Sequence, residues 1–253
     1  MTNLYWRIIG KGKQNIILLH GWGLNSQVWN TIIPKISSRF RIYLIDLPGY
    51  GVNYNFSPMN VSSIANIIWE NAPKDSIWLG WSFGGLVASR IAIDHYKHIK
   101  GLITVASSPY FISDKNGWPG ISKEVISNFE NQLIMNYKHT IEHFLMLQTF
   151  GTLNSQKDIY ILKNAIIEQP IPTVENLSAG IKSLRTEDLR KELKNISVPF
   201  LRIYGYLDSL VPRKVSILLD NMYPKSSSII MRDSAHAPFI SHPDEFSKYI
   251  CNF

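Results

Sequence analysis

The chain of 253 residues has a single cysteine, Cys251, and therefore cannot form an internal disulfide. Proteins without disulfides are typical of reducing compartments, so we expect a cytoplasmic protein. The first residues lack the basic and then apolar segments of a signal peptide. No apolar run approaches the length needed to span a membrane, and we expect no membrane partner.

Charged residues are also few, at 18% of the chain, whereas 45% is hydrophobic, which is typical of a globular protein. The formal net charge is +7, and the cationic excess lies before residue 111 without forming a dense run. We therefore expect no nucleic-acid partner. His139 and His143 have a spacing that can bind a metal, but no third ligand lies nearby, and we expect neither a metal nor another cofactor.

Six short apolar runs indicate strands that are buried on both faces, because they lack the alternation of a half-exposed strand. The runs are Ile16–Leu19, Ile42–Ile45, Ile77–Leu79, Leu102–Val105, Phe200–Tyr204 and Ser228–Met231. Helical patterns separate several of them, at Val61–Glu70 and Gly85–His95 among others. This order predicts an α/β fold with a mostly parallel sheet covered by helices on both faces.

The alternation of strands and helices stops between about residues 110 and 190, where the patterns are helical only. Val125, Phe129, Leu133, Tyr137, Ile141 and Leu145 recur at every fourth position, which predicts one long amphipathic helix. Further helices are predicted at about Ser155–Glu168 and Val174–Leu184. We expect residues 111–185 to form an all-helical cap inserted into a core made of residues 1–110 and 186–253.

Ser82 is the candidate nucleophile. It lies at the centre of the G-x-S-x-G pattern of residues 80–84, directly after one predicted strand and before a predicted helix. Small residues on either side of the serine allow a strand to turn sharply into a helix. The serine hydroxyl would then stand above the carboxyl edge of the sheet.

A serine nucleophile needs a histidine base, and a carboxylate to orient that base. His236 follows the last predicted strand in a loop of small residues, closer to the strand end than its competitor His242. Asp208 follows the strand Phe200–Tyr204. Asp46 and Asp114 also follow predicted strands and are rival carboxylates. We favour Ser82, Asp208 and His236, because this order along the chain is that of the α/β-hydrolase triad.

Acyl transfer also requires hydrogen-bond donors for the oxyanion that forms on the attacked carbonyl. The backbone N–H of Phe83, directly after the nucleophile, is one candidate. The second is the backbone N–H of Trp22, in the glycine-containing loop after the first predicted strand. We expect His20, in the same loop, to hold the loop in place by hydrogen bonds.

These segments resemble the α/β-hydrolase superfamily and, more closely, the family of pimeloyl-acyl-carrier-protein methyl ester esterases of biotin synthesis. Two motifs are most particular to this family. The first is Gly-Trp-Ser at residues 80–82 followed by Gly-Gly-Leu-Val-Ala-Ser at residues 84–89, and the second is Tyr-Gly-Tyr-Leu-Asp at residues 204–208. The resemblance covers nearly the whole chain, in residues 20–25, 46–51, 78–82, 84–89, 105–109, 147–149, 200–208 and 235–243.

The resemblance implies a serine carboxylesterase that hydrolyses the methyl ester of a pimeloyl chain held by an acyl carrier protein. It implies that Trp22, Phe83, Phe144 and Gln148 bind the substrate and that the acidic carrier docks on the cap of a monomer. The segment 111–185 has seven Lys/Arg and seven Asp/Glu, without the net positive charge expected for such docking. Lys123, Lys138, Lys157 and Lys163 could still form a local basic patch.

Two other functions remain open at this point. One is a general carboxylesterase of the same fold that acts on short or medium acyl chains. The other is a receptor that keeps the hydrolase fold and triad but only binds its ligand. A dehalogenase or an epoxide hydrolase is disfavoured, because those enzymes use a carboxylate where this chain has Ser82.

Overall fold

The computed structural model describes residues 4–253, which form a seven-stranded sheet with the order β1-β3-β2-β4-β5-β6-β7. β1 is antiparallel to β3, and the other neighbouring strands pair in parallel. The strands are β1 Trp6–Ile9, β2 Gln14–Leu19, β3 Phe40–Ile45, β4 Ile77–Trp81, β5 Gly101–Val105, β6 Phe200–Gly205 and β7 Ser227–Met231.

The α-helices before β5, and α9 after β6, separate strands, whereas those between β5 and β6 are consecutive and the last two follow β7. They are α1 Ile33–Ile36, α2 Val61–Asn71, α3 Phe83–His95, α4 Lys123–Met135, α5 Tyr137–Thr149, α6 Ser155–Ile167, α7 Val174–Thr186, α8 Arg190–Leu193, α9 Lys214–Met222, α10 Pro238–Ser241 and α11 Pro243–Cys251. Three short 3-10 helices lie at Ser26–Thr31, Gly51–Asn53 and Tyr96–His98.

The core of the molecule is the centre of the sheet. Every residue of β4, β5 and β6 is buried. Because successive side chains of a strand point to opposite faces, complete burial means that both faces of the sheet are covered. α3 packs against β2, β4 and β5. The predicted α/β fold with a mostly parallel sheet is therefore confirmed, and all six predicted strands are present. The expectation that all six are buried on both faces is wrong for β7, which is an edge strand in which only Met231 is buried.

The strand β1 was not among the predicted strands. It is only four residues long and lies at the edge of the sheet, where Ile8 is 51% exposed. A short edge strand does not require the continuous apolar run that marks a buried parallel strand.

The prediction of one long helix from Val125 to Leu145 is wrong, because the chain breaks at Asn136 into α4 and α5. The φ and ψ of Asn136 are −148° and 73°, outside the helical region. Its backbone N–H donates to the Gln132 carbonyl, which ends α4. Its side-chain oxygen accepts a hydrogen bond from the His139 N–H at 3.3 Å, which begins α5. Asparagine favours such local bonds over the helix interior.

Between β5 and β6, four longer helices, α4 to α7, succeed one another without a strand. α4 packs against α5 and α7, and α5 packs against α6. The division of the chain into a core and a cap with boundaries at residues 111 and 185 stays a prediction. Within residues 4–253, no helix is both long and apolar enough to cross a lipid bilayer.

We predict that Asn136→Ala lowers the free energy of unfolding by about 1 kcal/mol, because α5 loses its N-terminal cap. Urea denaturation measures this change. Asn154→Ala is the matched control, since Asn154 precedes α6 without a side-chain hydrogen bond to that helix. An equal loss of stability in the two variants would contradict the capping role of Asn136.

Candidate active site

Ser82 lies in a strained turn between β4 and α3. Its φ of 53° and ψ of −117° place a non-glycine residue in a region that side chains rarely adopt. The turn closes only because Gly80 and Gly84 have no side chains. A Cβ on Gly80 would collide with the Gly84 carbonyl, and one on Gly84 would collide with the carbonyl oxygens of Leu19 and His20.

The three residues predicted as a triad meet at the carboxyl edge of the sheet. Ser82 Oγ lies 2.9 Å from His236 Nε2, and His236 Nδ1 lies 2.8 Å from Asp208 Oδ2. All three are at least nine-tenths buried. With a proton on Nδ1 donated to Asp208, Nε2 is free to accept the proton of the Ser82 hydroxyl.

Asp208 is fixed by the loop that contains it. Its second oxygen, Oδ1, accepts hydrogen bonds from the backbone N–H groups of Leu210 at 2.8 Å and Val211 at 3.0 Å. The carboxylate is thus bonded on both oxygens, with Oδ2 aimed at the imidazole. This is the arrangement that orients a histidine and stabilises its protonated form.

The rival residues have other partners. Asp46 accepts hydrogen bonds from the backbone N–H groups of Ser26 at 2.6 Å and Val52 at 2.8 Å. Asp114 forms an ion pair with Arg190 at 2.8 Å. His242 Nδ1 lies 2.9 Å from Ser241 Oγ. The structure brings none of these three rivals to Ser82.

The backbone of His236 is held from two sides, which the sequence did not reveal. The indole N–H of Trp81 donates to the His236 carbonyl at 2.7 Å. The His236 N–H donates to the carbonyl of Gln148, in α5, at 3.0 Å. In the sequence, Trp81 was noted only as part of the Gly-Trp-Ser motif. No pattern along the chain indicates that His236 bonds to Trp81, 155 residues away, or to Gln148, 88 residues away.

Of the two N–H groups predicted to bind an oxyanion, that of Phe83 directly follows Ser82. The loop of Trp22 packs against the same turn, because a Cβ on Gly84 would collide with the His20 carbonyl. Within residues 4–253, neither the Trp22 nor the Phe83 backbone N–H donates a hydrogen bond to the protein. Buried N–H groups are nearly always paired, so two unpaired ones next to a candidate nucleophile are notable. Phe83 is the first residue of α3, whose N-terminal N–H groups favour negative charge.

His20 holds the loop that contains Trp22, as predicted from the sequence. Its Nδ1 lies 2.8 Å from the Gly21 carbonyl, and its Nε2 accepts a hydrogen bond from the Leu47 N–H at 2.9 Å. Burial lowers the pKa of His20 below its ordinary value. The neutral ring is the form that can accept a bond at Nε2, so burial and hydrogen bonding act together here.

An apolar cavity of about 390 Å³ adjoins the loop of Asp208, because Ser209 and Leu210 line it, whereas Ser82, Asp208 and His236 do not. None of the residues that line it is charged. They are Trp22, Gly120, Ile121, Ser122, Val125, Ile126, Phe129, Phe144, Leu147, Ile181, Leu184, Ser209 and Leu210. We call this space the apolar cavity; its volume is typical of a site for a small molecule.

Two of the four residues predicted to bind substrate line the apolar cavity. The Trp22 ring meets the Phe144 ring edge to face at 5.1 Å, and its indole N–H donates to the Leu177 carbonyl at 2.9 Å. Phe83 and Gln148 are not among the lining residues of this cavity in the described part of the chain. The Gln148 side-chain oxygen is buried and has no hydrogen-bond partner within residues 4–253.

Fold and site together define a hydrolase of the α/β-hydrolase class. A family model described as the alpha/beta hydrolase fold matches residues 14–243. Among solved structures, an esterase from Exiguobacterium antarcticum superimposes with a TM-score of 0.89 at 19% identity, covering 98% of this chain and 94% of that chain. A bromoperoxidase from Bacillus anthracis gives 0.87 at 20% identity, covering 98% and 93%. At such low identity these two neighbours support the fold alone.

Two relatives are similar along almost their entire length. One from Photorhabdus laumondii subsp. laumondii is 51% identical over 253 residues, which is 100% of this chain and 97% of the relative. One from Proteus mirabilis is 54% identical over 249 residues, 98% of this chain and 95% of the relative. Both are named pimeloyl-[acyl-carrier protein] methyl ester esterase. The chain belongs to the α/β-hydrolase family and, within it, to the family of these esterases.

We predict that Gly84→Ala destabilises the protein by about 3 kcal/mol, because its Cβ must displace backbone carbonyls of β2 and the loop after it. Thermal and urea unfolding measure the loss. Gly85→Ala is the comparison, since the atoms nearest to its Cβ would be those of the Ser107 side chain, followed by the Gly80 carbonyl oxygen. Ser107→Gly removes the hydrogen bond from Ser107 Oγ to the Ser82 carbonyl in every background, so its effect is compared between the two variants. It should cost less stability in Gly85→Ala, where it also relieves the collision, than in Gly84→Ala. An equal cost in both would contradict the backbone collision.

Proposed function

We propose that this protein hydrolyses the methyl ester of a pimeloyl chain carried by an acyl carrier protein, in biotin synthesis. The observation that supports this most directly is the hydrogen-bonded series from Ser82 through His236 to Asp208 beside a cavity without charged residues. The names of the two relatives supply the substrate, and their similarity extends over the whole chain.

In this proposal Ser82 Oγ attacks the ester carbonyl while His236 Nε2 takes its proton. The negative charge that develops on the carbonyl oxygen is bound by the N–H groups of Trp22 and Phe83. When the intermediate collapses, His236 gives the proton to the departing methoxide, which leaves as methanol. Water then attacks the acyl-enzyme by the same route, and the free carboxylic acid and Ser82 are regenerated.

The composition of the apolar cavity favours a neutral acyl chain. Burying an unpaired carboxylate among apolar side chains is strongly unfavourable, whereas each buried methylene contributes about 0.8 kcal/mol. A methyl-esterified chain can enter without this penalty, and Trp22 and Phe144 would contact it. We assign substrate-binding roles to Phe83 and Gln148 as well, because Phe83 directly follows Ser82 and the Gln148 backbone contacts His236.

We propose that the carrier docks on the outer face of the cap, formed by α5 and α6. Lys138, His139 and His143 are exposed on α5, and Lys157 is exposed on α6. Met146 and Phe150 are also exposed on this face, at 46% and 71%. A mixed surface of basic and apolar side chains suits an acidic protein partner. We further propose a cytoplasmic location, because the single free cysteine suits a reducing compartment, and a monomer, because the triad needs no residue from a second copy.

The direct test uses the methyl pimeloyl thioester of an acyl carrier protein as substrate. We predict methanol release by the wild-type protein and a loss of at least 10³-fold in kcat for Ser82→Ala. Ser62→Ala, at an exposed serine of α2, is the control and should be fully active. The gene should also restore growth without biotin to a strain that lacks this esterase. Mass spectrometry of the carrier measures loss of the ester methyl group.

Each alternative has its own outcome in these assays. If simple p-nitrophenyl esters are cleaved but the carrier-bound ester and the growth test both fail, the protein is a general carboxylesterase. If no ester is cleaved by the wild-type protein, the triad serves only a binding function. Both outcomes would overturn the proposed reaction.

Trp81 is assigned a positioning role in this mechanism. It precedes Ser82, donates to the His236 carbonyl, and presents its ring to Gly21, where an added Cβ would lie 3.1 Å away. One side chain therefore supports the nucleophile, the base and the loop of Trp22. A displacement of His236 by a fraction of an ångström lengthens its bond to Ser82 and lowers the rate.

We predict that Trp81→Phe lowers kcat about tenfold with little change in KM, because a buried carbonyl loses its donor. Trp29→Phe is the matched control. Trp29 is buried against Phe239, and its indole N–H has no partner within residues 4–253. Steady-state kinetics and unfolding curves are compared for both variants. An equal fall in kcat for Trp29→Phe would show that aromatic packing, and not the hydrogen bond, positions His236.

A further inference from the structure

A second, open groove of about 450 Å³ lies beside the apolar cavity. Its lining includes Gly120, Tyr206, Pro212, Arg213 and Lys214, together with Asp208. Arg213 and Lys214 are both exposed to solvent. We call this space the cationic groove. The triad mechanism uses Asp208 but assigns no task to the two cations.

The two cations have no anionic partner in the described part of the chain. Neither Arg213 nor Lys214 forms an ion pair within residues 4–253, where Arg90, Arg185, Arg190 and Arg202 all do. Asp208 also lines the groove, but both its oxygens are engaged by His236 and by backbone N–H groups. The positive charge of the groove is therefore free to act on a ligand.

Arg213 is nevertheless held in place. Its guanidinium lies over the Tyr206 ring, 3.9 Å from the ring centroid. A cation over an aromatic face is stabilised without being neutralised, and it loses less side-chain freedom when an anion binds. The planar guanidinium can bind a carboxylate or a phosphate with two parallel hydrogen bonds.

The cationic groove adjoins the apolar cavity at Gly120 and lies near the turn after α5. Gly120 lines both spaces, and Ser209 and Leu210 of the apolar cavity lie a few residues before Arg213. On the other side, the turn after α5 touches the loop after β6: a Cβ on Gly151 would lie 3.7 Å from Leu207 Cδ1. A chain that fills the apolar cavity and emerges at Gly120 reaches these cations first.

We propose that Arg213 and Lys214 bind an anionic group of the carrier portion of the substrate, a proposal that rests on the proposed function. Carrier proteins hold acyl chains on a phosphopantetheine arm, so the group is either the phosphodiester of that arm or a carboxylate of the carrier surface. The binding occurs outside the reacting centre and is equal in the ground state and the transition state. It therefore lowers KM and leaves kcat unchanged.

The test uses the double variant Arg213→Gln/Lys214→Gln of the full chain. With the methyl pimeloyl thioester of the carrier, we expect KM to rise about tenfold at constant kcat. Hydrolysis of p-nitrophenyl butyrate, which has no carrier portion, should be unchanged. Lys11→Gln/Arg39→Gln is the matched control, because both residues are exposed at the amino edge of the sheet and Arg39 also lies over an aromatic ring, Phe40.

Two further substrates distinguish the sources of the anion. If KM also rises with the methyl pimeloyl thioester of free phosphopantetheine, the groove binds the phosphate; if it rises only with the intact carrier, the groove binds carboxylates. Either result supports the proposal. Three results would overturn it: a rise in the KM of the double variant for the uncharged pantetheine thioester, an equal rise in KM in the control variant, or no rise in KM with any substrate.

These failures differ from a failure of the proposed function. If the wild-type protein does not hydrolyse the carrier-bound ester, the proposed function is wrong, and the proposed binding of the carrier by the cationic groove is then wrong as well. If the wild-type protein hydrolyses it and the double variant has the same KM, only the role of Arg213 and Lys214 is wrong.

Discussion

The backbone of Ser82 is the constraint on which the rest of the site depends. A non-glycine residue with φ of 53° costs on the order of 1–3 kcal/mol and persists only where its surroundings enforce it. Here the Ser82 N–H donates to the Val105 carbonyl at 2.9 Å, and its carbonyl accepts from Ser107 Oγ at 2.8 Å. Both partners belong to β5 or the residues directly after it, so the neighbouring strand holds the strained residue in place.

Once Ser82 is fixed, the imidazole of His236 must be brought to it from a distant loop. Trp81, at the end of β4, donates its indole N–H to the His236 carbonyl. The backbone N–H of His236 donates to the carbonyl of Gln148 in α5. The helices between β5 and β6 thus do more than cover the apolar cavity. Because one of these two hydrogen bonds to the His236 backbone comes from α5, the position of α5 contributes to the placement of the imidazole.

The sequence predicted the parts of the site that depend on local pattern and on sheet topology. Ser82, Asp208 and His236 each follow a strand of the sheet, and the carboxyl ends of parallel strands meet at one edge. It did not predict the contact of Trp81 with His236, because a hydrogen bond across 155 residues leaves no periodic signal. The break at Asn136 was missed for another reason: the apolar spacing continues through it, and capping by a single side chain outweighs that pattern.

The distribution of charge around the site separates two kinds of interaction. The apolar cavity has no charged lining residue, whereas Arg213 and Lys214 lie outside it in water. Under the proposed reaction the cavity accepts the neutral acyl chain of the substrate, and hydrolysis at Ser82 converts the ester end of that chain into a carboxylate. That anion is disfavoured among apolar side chains, since its hydration is lost without an ionic partner. The absence of charge that suits the neutral substrate therefore disfavours retention of the product in the cavity. In our proposal the cations that bind the carrier portion lie outside the cavity and cannot hold that product.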